Sequence, residues 1–297
     1  MPSDHRVSLI VNADSGPLDM DDVLPIVYEA FPGPPPLTRF VSPESSARQL
    51  AREELADGAT LVVAVGGDGT ISQVAGVLAH SSSVLGVIPV GTANAFARAL
   101  SIPLDIAGAA RNLSTGKPRT VDLGRCDQEP LLLLAAIGYE AEIVRQASPE
   151  RKEWLGAFAY LYTGLELLTS QQPFAVTIAT GEREFKTMAS AVTVANVAPP
   201  TSPLAQGLGS VVPDDGLLEV TIFAPTSATD AFARLWVLFG AAALDMRIWR
   251  DDILAFRTAN LRIKTDPPQP LAIDGDLREI QAPEFSVEPA CLRVLVP

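Results

Sequence analysis

Histidine and cysteine are scarce in this chain of 297 residues, and their scarcity excludes several kinds of site. The two cysteines, Cys126 and Cys291, lie far apart and match no metal-ligand spacing, so we interpret them as buried thiols of a reducing compartment. The two histidines, His5 near the terminus and His80 beside a serine run, are expected to be solvated. Any acid–base chemistry is therefore expected to depend on carboxylates.

Long apolar runs are also absent. The longest, Leu235 to Leu244, has ten residues, whereas a membrane-spanning helix needs about 20. The opening MPSDHRVSLIV contains no basic region followed by a long apolar run, which argues against a signal peptide. We therefore expect a cytoplasmic protein, and transient contact with a membrane surface stays open.

Basic side chains are too few to balance the acidic ones: the chain has 22 Lys and Arg residues and 35 Asp and Glu residues, which gives a net charge of −13. Nucleic-acid binding is not expected, since it usually requires a basic face. The same charge would repel anionic lipid headgroups. A polyanionic ligand would have to be held by backbone N–H groups, helix termini and a metal ion.

The first part of the chain alternates strand and helix patterns. Predicted strands at Val7–Asn12, Leu61–Val65 and Val84–Pro89 are separated by predicted helices, two of which cover Ser46–Ala56 and Ile71–Ala79. This alternation predicts parallel strands joined by crossover helices. Ligands of such sheets bind beyond the carboxyl ends of the strands.

After residue 121 the pattern changes to strands in succession, which predicts a second, mainly antiparallel β domain. Helical patterns interrupt the strands only near 154–169 and 230–243. We predict a first domain over 1–120, to which 283–297 return, and a second domain over 121–282. The predicted strands of the later part are 131–137, 174–179, 191–196, 217–223, 260–264 and 292–296.

The strongest motif is the glycine-rich run Gly66-Gly67-Asp68-Gly69-Thr70 between a predicted strand and a predicted helix. Its three glycines leave backbone N–H groups uncovered, so the loop can wrap a phosphate. Thr70 stands where we expect the helix N-cap. Asp68 would repel a phosphate directly, but it suits a bridging magnesium ion or removal of a proton from an attacking hydroxyl. A plain glycine turn with an exposed aspartate is the structural alternative.

A second glycine loop, PVGTANAFAR from Pro89 to Arg98, repeats this architecture after the next strand. Gly91 permits a close turn, and Thr92 and Asn94 offer a hydroxyl and an amide suited to phosphate oxygens or a ribose. Arg98 is positioned to pair with a phosphate or with a neighbouring acid. Two such loops, one crossover unit apart, make an accidental turn a poor explanation for either.

GGDGT followed by PVGTANAFAR resembles the diacylglycerol kinase catalytic-domain superfamily, which includes bacterial lipid kinases and sphingosine and ceramide kinases. Three further segments are similar to motifs of that family. Asn12 with Ser15-Gly16 resembles the loop after its first strand, although Ala13 replaces a proline. The other two are Pro213–Val220 (PDDGLLEV) and Ile273–Asp276 (IDGD). The resemblance covers nearly the whole chain.

The resemblance implies an α/β fold with a Rossmann-like, NAD kinase/diacylglycerol kinase-like N-terminal domain of parallel strands and a mainly antiparallel C-terminal β domain. It implies ATP and Mg²⁺ as cofactors. It places a structural metal at Asp215 with the carbonyls of Val212 and Leu217, and a general base at Asp276, where the family normally has glutamate. Asp68 is the other catalytic candidate. The nucleotide-binding candidates are Asn12, Gly66, Gly67, Asp68, Gly69, Thr70, Gly91, Thr92 and Asn94.

The function implied is transfer of the γ-phosphoryl group of ATP to the hydroxyl of a lipid such as diacylglycerol. Two alternatives stay open: a non-catalytic nucleotide- or lipid-binding relative, favoured by Asp276 and by Ala95 where many members carry aspartate, and an NAD kinase. The acceptor lipid, the nucleotide preference and the oligomeric state, including a homodimer, are not determined by the sequence.

Overall fold

The computed structural model describes residues 6–138, 141–142, 173–181, 183–199, 205, 211–224 and 253–297. The helical patterns near 154–169 and 230–243, and with them the apolar run from Leu235, lie outside these residues. Within the described ranges, no helix is long and apolar enough to cross a bilayer. The chain divides into two compact units, the first formed by Met1–Leu123 with Glu288–Pro297 and the second by Gly124–Val287.

The first unit alternates strands and helices along the chain. Its elements are β1 (Val7–Val11), α1 (Met20–Tyr28), β2 (Leu37–Phe40), α2 (Ala47–Ala56), β3 (Leu61–Gly66), α3 (Asp68–Leu78), β4 (Val84–Pro89), α4 (Ala95–Ala99) and α5 (Ile106–Thr115). The strands lie in the order β2-β1-β3-β4 and all pair in parallel. The predicted parallel α/β fold of this part is confirmed.

The register of these strands brings three loops to one edge of the sheet. Val11 lies opposite Val65, and Gly66 lies opposite Pro89, so β1, β3 and β4 end at the same level. The β3 sequence LVVAVG is buried along its whole length, as expected for a central parallel strand covered on both faces. The segments that follow Val11, Val65 and Pro89 are therefore neighbours by topology.

Helix α3 begins three residues earlier than predicted, at Asp68 instead of Ile71. Gly67 is the N-cap, in an extended conformation and without a side-chain cap. Thr70 is therefore not the N-cap but a buried residue of the first turn. The helix can start early because glycine is a favoured N-cap residue and an acidic residue in the first turn complements the helix dipole.

The second unit is built from antiparallel strands. Its elements, with two strands that it shares with the first unit, are β5 (Lys117–Cys126), β6 (Glu129–Leu131), β7 (Leu134–Gly138), β8 (Phe174–Thr180), β9 (Glu184–Ala189), β10 (Ala191–Ala195), β11 (Leu218–Phe223), β12 (Ile253–Thr258), β13 (Asn260–Asp266), β14 (Leu271–Ile273), β15 (Asp276–Arg278) and β16 (Glu284–Val296). One sheet has the order β12-β11-β10-β7-β14-β15. The predicted antiparallel β fold is confirmed.

A second antiparallel set in this unit runs β13-β8-β9, and the first residues of β16 pair with β13. Apolar side chains from both sets form one buried core, to which Phe174 and Ile178 contribute from β8 and Val192 and Ile222 from the six-stranded sheet. The last residues of β16 belong to the first unit, where Arg293 and Val294 pair in parallel with β4.

A buried carboxylate fastens α2 to the parallel sheet. The Glu54 side chain is fully buried, and its oxygens accept hydrogen bonds from Arg39 Nη1 at 3.0 Å and Arg6 Nη2 at 3.4 Å. Arg39 also pairs with Glu53 at 2.7 Å, but the Glu53 side chain is 43% exposed. The hydrogen bond with Glu53 is the largest of the effects that raise the pKa of Arg39.

These neighbouring glutamates offer a matched test of burial. Glu54→Gln would turn an amide N–H₂ toward the guanidinium donors inside the core, and we expect it to lower the free energy of unfolding by about 1–3 kcal/mol. Glu53→Gln removes an exposed pair with the same arginine and should shift stability much less. Urea unfolding midpoints of the two variants measure the difference; equal midpoints would show that Glu54 does not anchor the helix.

Candidate functional site

Three segments of the first unit lie at the carboxyl edge of its parallel sheet: the first loop (residues 12–16), the second loop (66–70, from the last residue of β3 to the first turn of α3) and the third loop (90–94). Backbone hydrogen bonds hold them level. The Asn12 N–H donates to the Val65 carbonyl at 2.9 Å, and the Val90 N–H donates to the Gly66 carbonyl at 3.1 Å. The structure thus brings together all the predicted nucleotide-binding residues, which are distributed over these three loops.

The loops touch through their glycines. A Cβ atom on Gly91 would lie 2.6 Å from the Cα atom of Gly67, closer than real Cβ contacts allow. Gly16 has φ +76°, and a Cβ there would collide with the Val90 carbonyl oxygen. Only glycine permits both the left-handed conformation and this approach of one backbone to another. The glycines therefore serve first to pack the three loops against each other.

Asp68 joins the second loop to the third. Its Oδ2 accepts a hydrogen bond from the Ala95 N–H and its Oδ1 one from the Phe96 N–H, both at 3.0 Å. These are the first N–H groups of α4, which Asn94 cannot cap because it takes a left-handed conformation with φ 48°. Asp68 therefore provides the N-cap of α4 from a different segment of the chain.

Asn12 joins the first loop to the second. Its Nδ2 donates to the Thr70 hydroxyl at 3.1 Å, and its Oδ1 accepts from the Asp14 N–H at 3.2 Å. Thr70 is buried, so its hydroxyl orients Asn12 from below the loop instead of facing solvent. Thr92 and Gly69 are exposed, so a ligand can reach them directly.

Asn94 carries a buried polar atom without a partner. Its Nδ2 donates to the Gly91 carbonyl at 2.8 Å, which fixes the side chain, whereas its Oδ1 accepts no hydrogen bond. The residue is 8% exposed. A buried acceptor without a donor costs free energy, so this oxygen suits a ligand group that carries a hydrogen.

The three loops contain no lysine or arginine. Arg98, which follows on α4, donates from Nε to the Ala93 carbonyl at 3.0 Å, so its guanidinium supports the loop that precedes it. A phosphate group at this edge would be bound by backbone N–H groups and uncharged side chains. The loops fit a polyphosphate whose charge is neutralised by a metal ion that accompanies it.

The predicted metal residues lie in the second unit, at the turn before β11. Asp215 Oδ1 accepts from the Leu217 N–H at 3.0 Å, and Oδ2 lies 3.6 Å from Arg257 Nη1. Arg257 also pairs through Nε with the buried carboxylate of Glu219 at 2.6 Å. A backbone N–H and a guanidinium therefore lie next to the two Asp215 oxygens. The assignment of Asp215, Val212 and Leu217 as ligands stays a prediction.

The two carboxylates of the IDGD motif differ in environment. Asp274, with φ 49°, accepts hydrogen bonds from three successive backbone N–H groups, those of Leu132 at 2.9 Å, Leu133 at 2.8 Å and Leu134 at 3.2 Å. Asp276 opens β15 with its side chain 72% exposed, and its Oδ2 lies 3.6 Å from Arg278 Nη2. Asp276 is thus accessible to a substrate, and Asp274 fixes the turn that carries it.

Sequence reasoning missed the anchoring roles of Asp68 and Asp274. Both carboxylates cap backbone segments that lie far away in sequence, so no local spacing reveals the partner. For Asp274 one signal was available, because an aspartate directly before glycine often marks a tight turn with a left-handed residue. Asp68 also stands directly before a glycine, but there the pair begins α3, so the same signal does not point to its partner.

Glycine packing at the loops can be tested by comparing two substitutions. Gly91→Ala should lower the free energy of unfolding by about 1–3 kcal/mol, because its methyl group forces the second and third loops apart. Gly69→Ala is the control, since a Cβ at Gly69 meets nothing within 4 Å and alanine favours the helix. Thermal unfolding of both variants measures the effect. A Gly91→Ala protein as stable as Gly69→Ala would contradict the close approach.

Comparison with known proteins gives the family. The diacylglycerol kinase catalytic domain matches residues 6–126, and the YegS C-terminal NAD kinase beta sandwich-like domain matches residues 134–296. A Pseudomonas aeruginosa protein named "Probable lipid kinase YegS-like" is 33% identical over 273 residues, which cover 86% of this chain and 82% of that protein. An uncharacterized Synechocystis protein is 36% identical over 84% of this chain, which spans only 58% of that relative's length.

Solved structures agree on the fold. The structure of a diacylglycerol kinase from Bacillus anthracis superposes with a TM-score of 0.73 at 20% identity, covering 99% of this chain and 97% of that one. A further Bacillus anthracis structure reaches a TM-score of 0.80 at 22% identity with the same coverage. With two domain matches in sequence order and relatives matched over most of their length, the chain belongs to the diacylglycerol kinase superfamily, in its group of YegS-like lipid kinases.

Proposed function

We propose that this protein transfers the γ-phosphoryl group of ATP to a hydroxyl of a lipid such as diacylglycerol. The observation that carries this proposal is the set of three interlocked loops at the carboxyl edge of the parallel sheet. They expose backbone and small side chains and contain no lysine or arginine. Glycine contacts and the hydrogen bonds of Asp68 hold them in place. Membership of a lipid kinase family supports the choice of a lipid acceptor.

The loops divide the binding of ATP between them. The phosphates lie over the N–H groups of the second loop and the start of the third, near Gly69 and Thr92. Asn94 Oδ1, the buried acceptor, receives a hydrogen bond from a ribose hydroxyl. A Mg²⁺ ion bound with ATP would supply neutralisation of the charge on the phosphoryl oxygens. Phosphoryl transfer needs little covalent chemistry from the protein, so alignment of the loops is its main contribution.

Asp276 takes the proton from the acceptor hydroxyl in this proposal. Its carboxylate is exposed and pairs with Arg278 at 3.6 Å, so it can approach a substrate without leaving a buried partner. Asp274 keeps the turn fixed through its three backbone hydrogen bonds. Asp68 acts as a positioning residue, because both its oxygens are engaged with α4.

The function is tested by incubating the full chain with γ-labelled ATP, Mg²⁺ and mixed micelles that contain hydroxyl lipids, with NAD in a parallel reaction. NAD belongs in the panel because the second domain match is described as NAD kinase-like. Label in the lipid extract is the expected result. Label on NAD, or no label on any acceptor although ATP binds, would overturn the proposal.

The positioning role of Asp68 predicts a large loss of turnover from a small change. Asp68→Asn keeps one carbonyl oxygen but loses the second acceptor and the negative charge at the start of α4. We expect kcat to fall about 10²-fold, as for other misplacements of catalytic groups. Asp105→Asn is the matched control, because Asp105 caps α5 through the Gly108 N–H and contacts none of the three loops. Full activity of Asp68→Asn would exclude this role.

The general-base role of Asp276 predicts opposite outcomes for two substitutions. Asp276→Asn should reduce kcat by about 10²–10⁴-fold, because the amide cannot accept the proton. Asp276→Glu keeps the carboxylate on a side chain one methylene longer and should retain most of the activity. Both variants should unfold at the wild-type temperature, since the side chain is exposed. Equal turnover of Asp276→Asn and wild type would remove Asp276 from the mechanism.

A further inference from the structure

A group of three metal-ligating side chains lies in the first unit, away from the three loops. Among the described residues, His80, Glu288 and Cys291 place a ring nitrogen, a carboxylate oxygen and a thiol sulfur within 4.8 Å of one another. His80 Nε2 and Glu288 Oε2 are 3.2 Å apart. His80 follows α3 and precedes β4, so the group lies by the amino end of the strand whose carboxyl end carries the third loop.

An irregularity in β16 brings Glu288 and Cys291 to the same side. Residues three apart on a regular strand face opposite sides of the sheet. Between these two residues, Ala290 adopts φ 50°, which interrupts the alternation. The irregularity is held in place by Asp122, which is 2% exposed and whose Oδ1 accepts from the Ala290 N–H at 2.7 Å.

His80 is held beside this strand by its own backbone. It has φ 62°, and its N–H donates to the Cys291 carbonyl at 2.7 Å. Left-handed conformations of alanine and histidine are uncommon and cost free energy, and such outliers concentrate at functional sites. Two such residues, His80 and Ala290, lie at this site, and a hydrogen bond from the backbone N–H fixes each of them. Their conformations bring the three ligand side chains together.

The ligand chemistry selects the kind of metal. A thiolate, an imidazole and a carboxylate are the donors that Zn²⁺ and related first-row dications prefer, whereas Mg²⁺ prefers oxygen ligands alone. Three protein ligands leave a fourth tetrahedral position for water. The His80 side chain is 61% exposed and provides the entry path, whereas Cys291 is 6% exposed at the base of the group.

We propose that His80, Glu288 and Cys291 form a binding site for one Zn²⁺-type transition-metal ion. On binding, the Cys291 thiol releases its proton to solvent and the sulfur coordinates as thiolate. The ion fastens His80, which follows the end of α3, to β16. Since α3 begins at Asp68 in the second loop, the metal stabilises the unit that carries the three loops. It takes no part in phosphoryl transfer.

Cobalt is the probe, since Co²⁺ occupies such sites and reports its ligands by absorption. The full chain, kept reduced with a phosphine, is titrated with CoCl₂. We expect saturation at one equivalent, with a thiolate-to-cobalt charge-transfer band and visible bands of a tetrahedral ion, and displacement by Zn²⁺. The absence of a thiolate band at saturating Co²⁺ would overturn the proposal.

Two variants assign the band. Cys291→Ser should abolish the band. His80→Asn should weaken Co²⁺ binding by at least about tenfold, because even loss of a partner behind the ligands costs that much. Asparagine tolerates the left-handed conformation, so this variant preserves the backbone at residue 80. A band that survives both substitutions would overturn the assignment.

The other cysteine supplies the control. Burial raises the pKa of the Cys126 thiol to about 12, so it is protonated at neutral pH, and it belongs to the second unit. Cys126→Ser should keep the full cobalt band. Zn²⁺ should also raise the unfolding temperature of wild type and of Cys126→Ser, and should raise that of His80→Asn by less. A band lost in Cys126→Ser, or an equal temperature shift in all three proteins, would contradict the site.

Discussion

The close contact of the second and third loops, completed by the Asp68 carboxylate, is the constraint on which the candidate site depends. Gly67 and Gly91 approach to a distance that no side chain permits, and Asp68 then reaches the Ala95 and Phe96 N–H groups across the gap. The hydrogen bonds of Asp68 depend on the glycine contact, because the carboxylate reaches the two N–H groups only when the second and third loops lie this close together. The shape presented to a phosphate follows from this pair of contacts.

Carboxylates acting as backbone anchors recur in this acidic chain. Asp68 caps α4, Asp274 accepts three N–H groups of Leu132–Leu134, and Asp122 holds Ala290 in β16. In each case the acid satisfies N–H groups that no regular secondary structure would pair, and hydrogen bonds to a charged group are stronger than neutral ones. Part of the net charge of −13 is therefore structural and is compensated inside the fold.

The proposed nucleotide site is compatible with an acidic protein. Its three loops offer backbone dipoles instead of lysine or arginine, so a nucleotide would be accepted there together with its metal ion, and the loops themselves give no attraction to nucleic acids or anionic headgroups. The proposed His80–Glu288–Cys291 site uses different donors at the opposite end of β4. The proposed site has a thiolate and an imidazole, which select a Zn²⁺-type ion, whereas the loops offer backbone groups and uncharged side chains to a nucleotide that carries Mg²⁺. The difference in ligands would direct each kind of metal ion to its own site.

The sequence by itself determined the α/β architecture, the antiparallel second part and the membership of the lipid kinase superfamily, since strand periodicity and glycine motifs are local signals. Local patterns did not reveal β2, β5, β6, β9, β12, β14 and β15, which are short or partly exposed. Nor could they show that α3 starts at Asp68. Only the tertiary structure decided the partners of Asp68, Asp274 and His80, because each partner lies more than 25 residues away along the chain, and contacts of that kind are set by strand register and packing rather than by neighbouring residues.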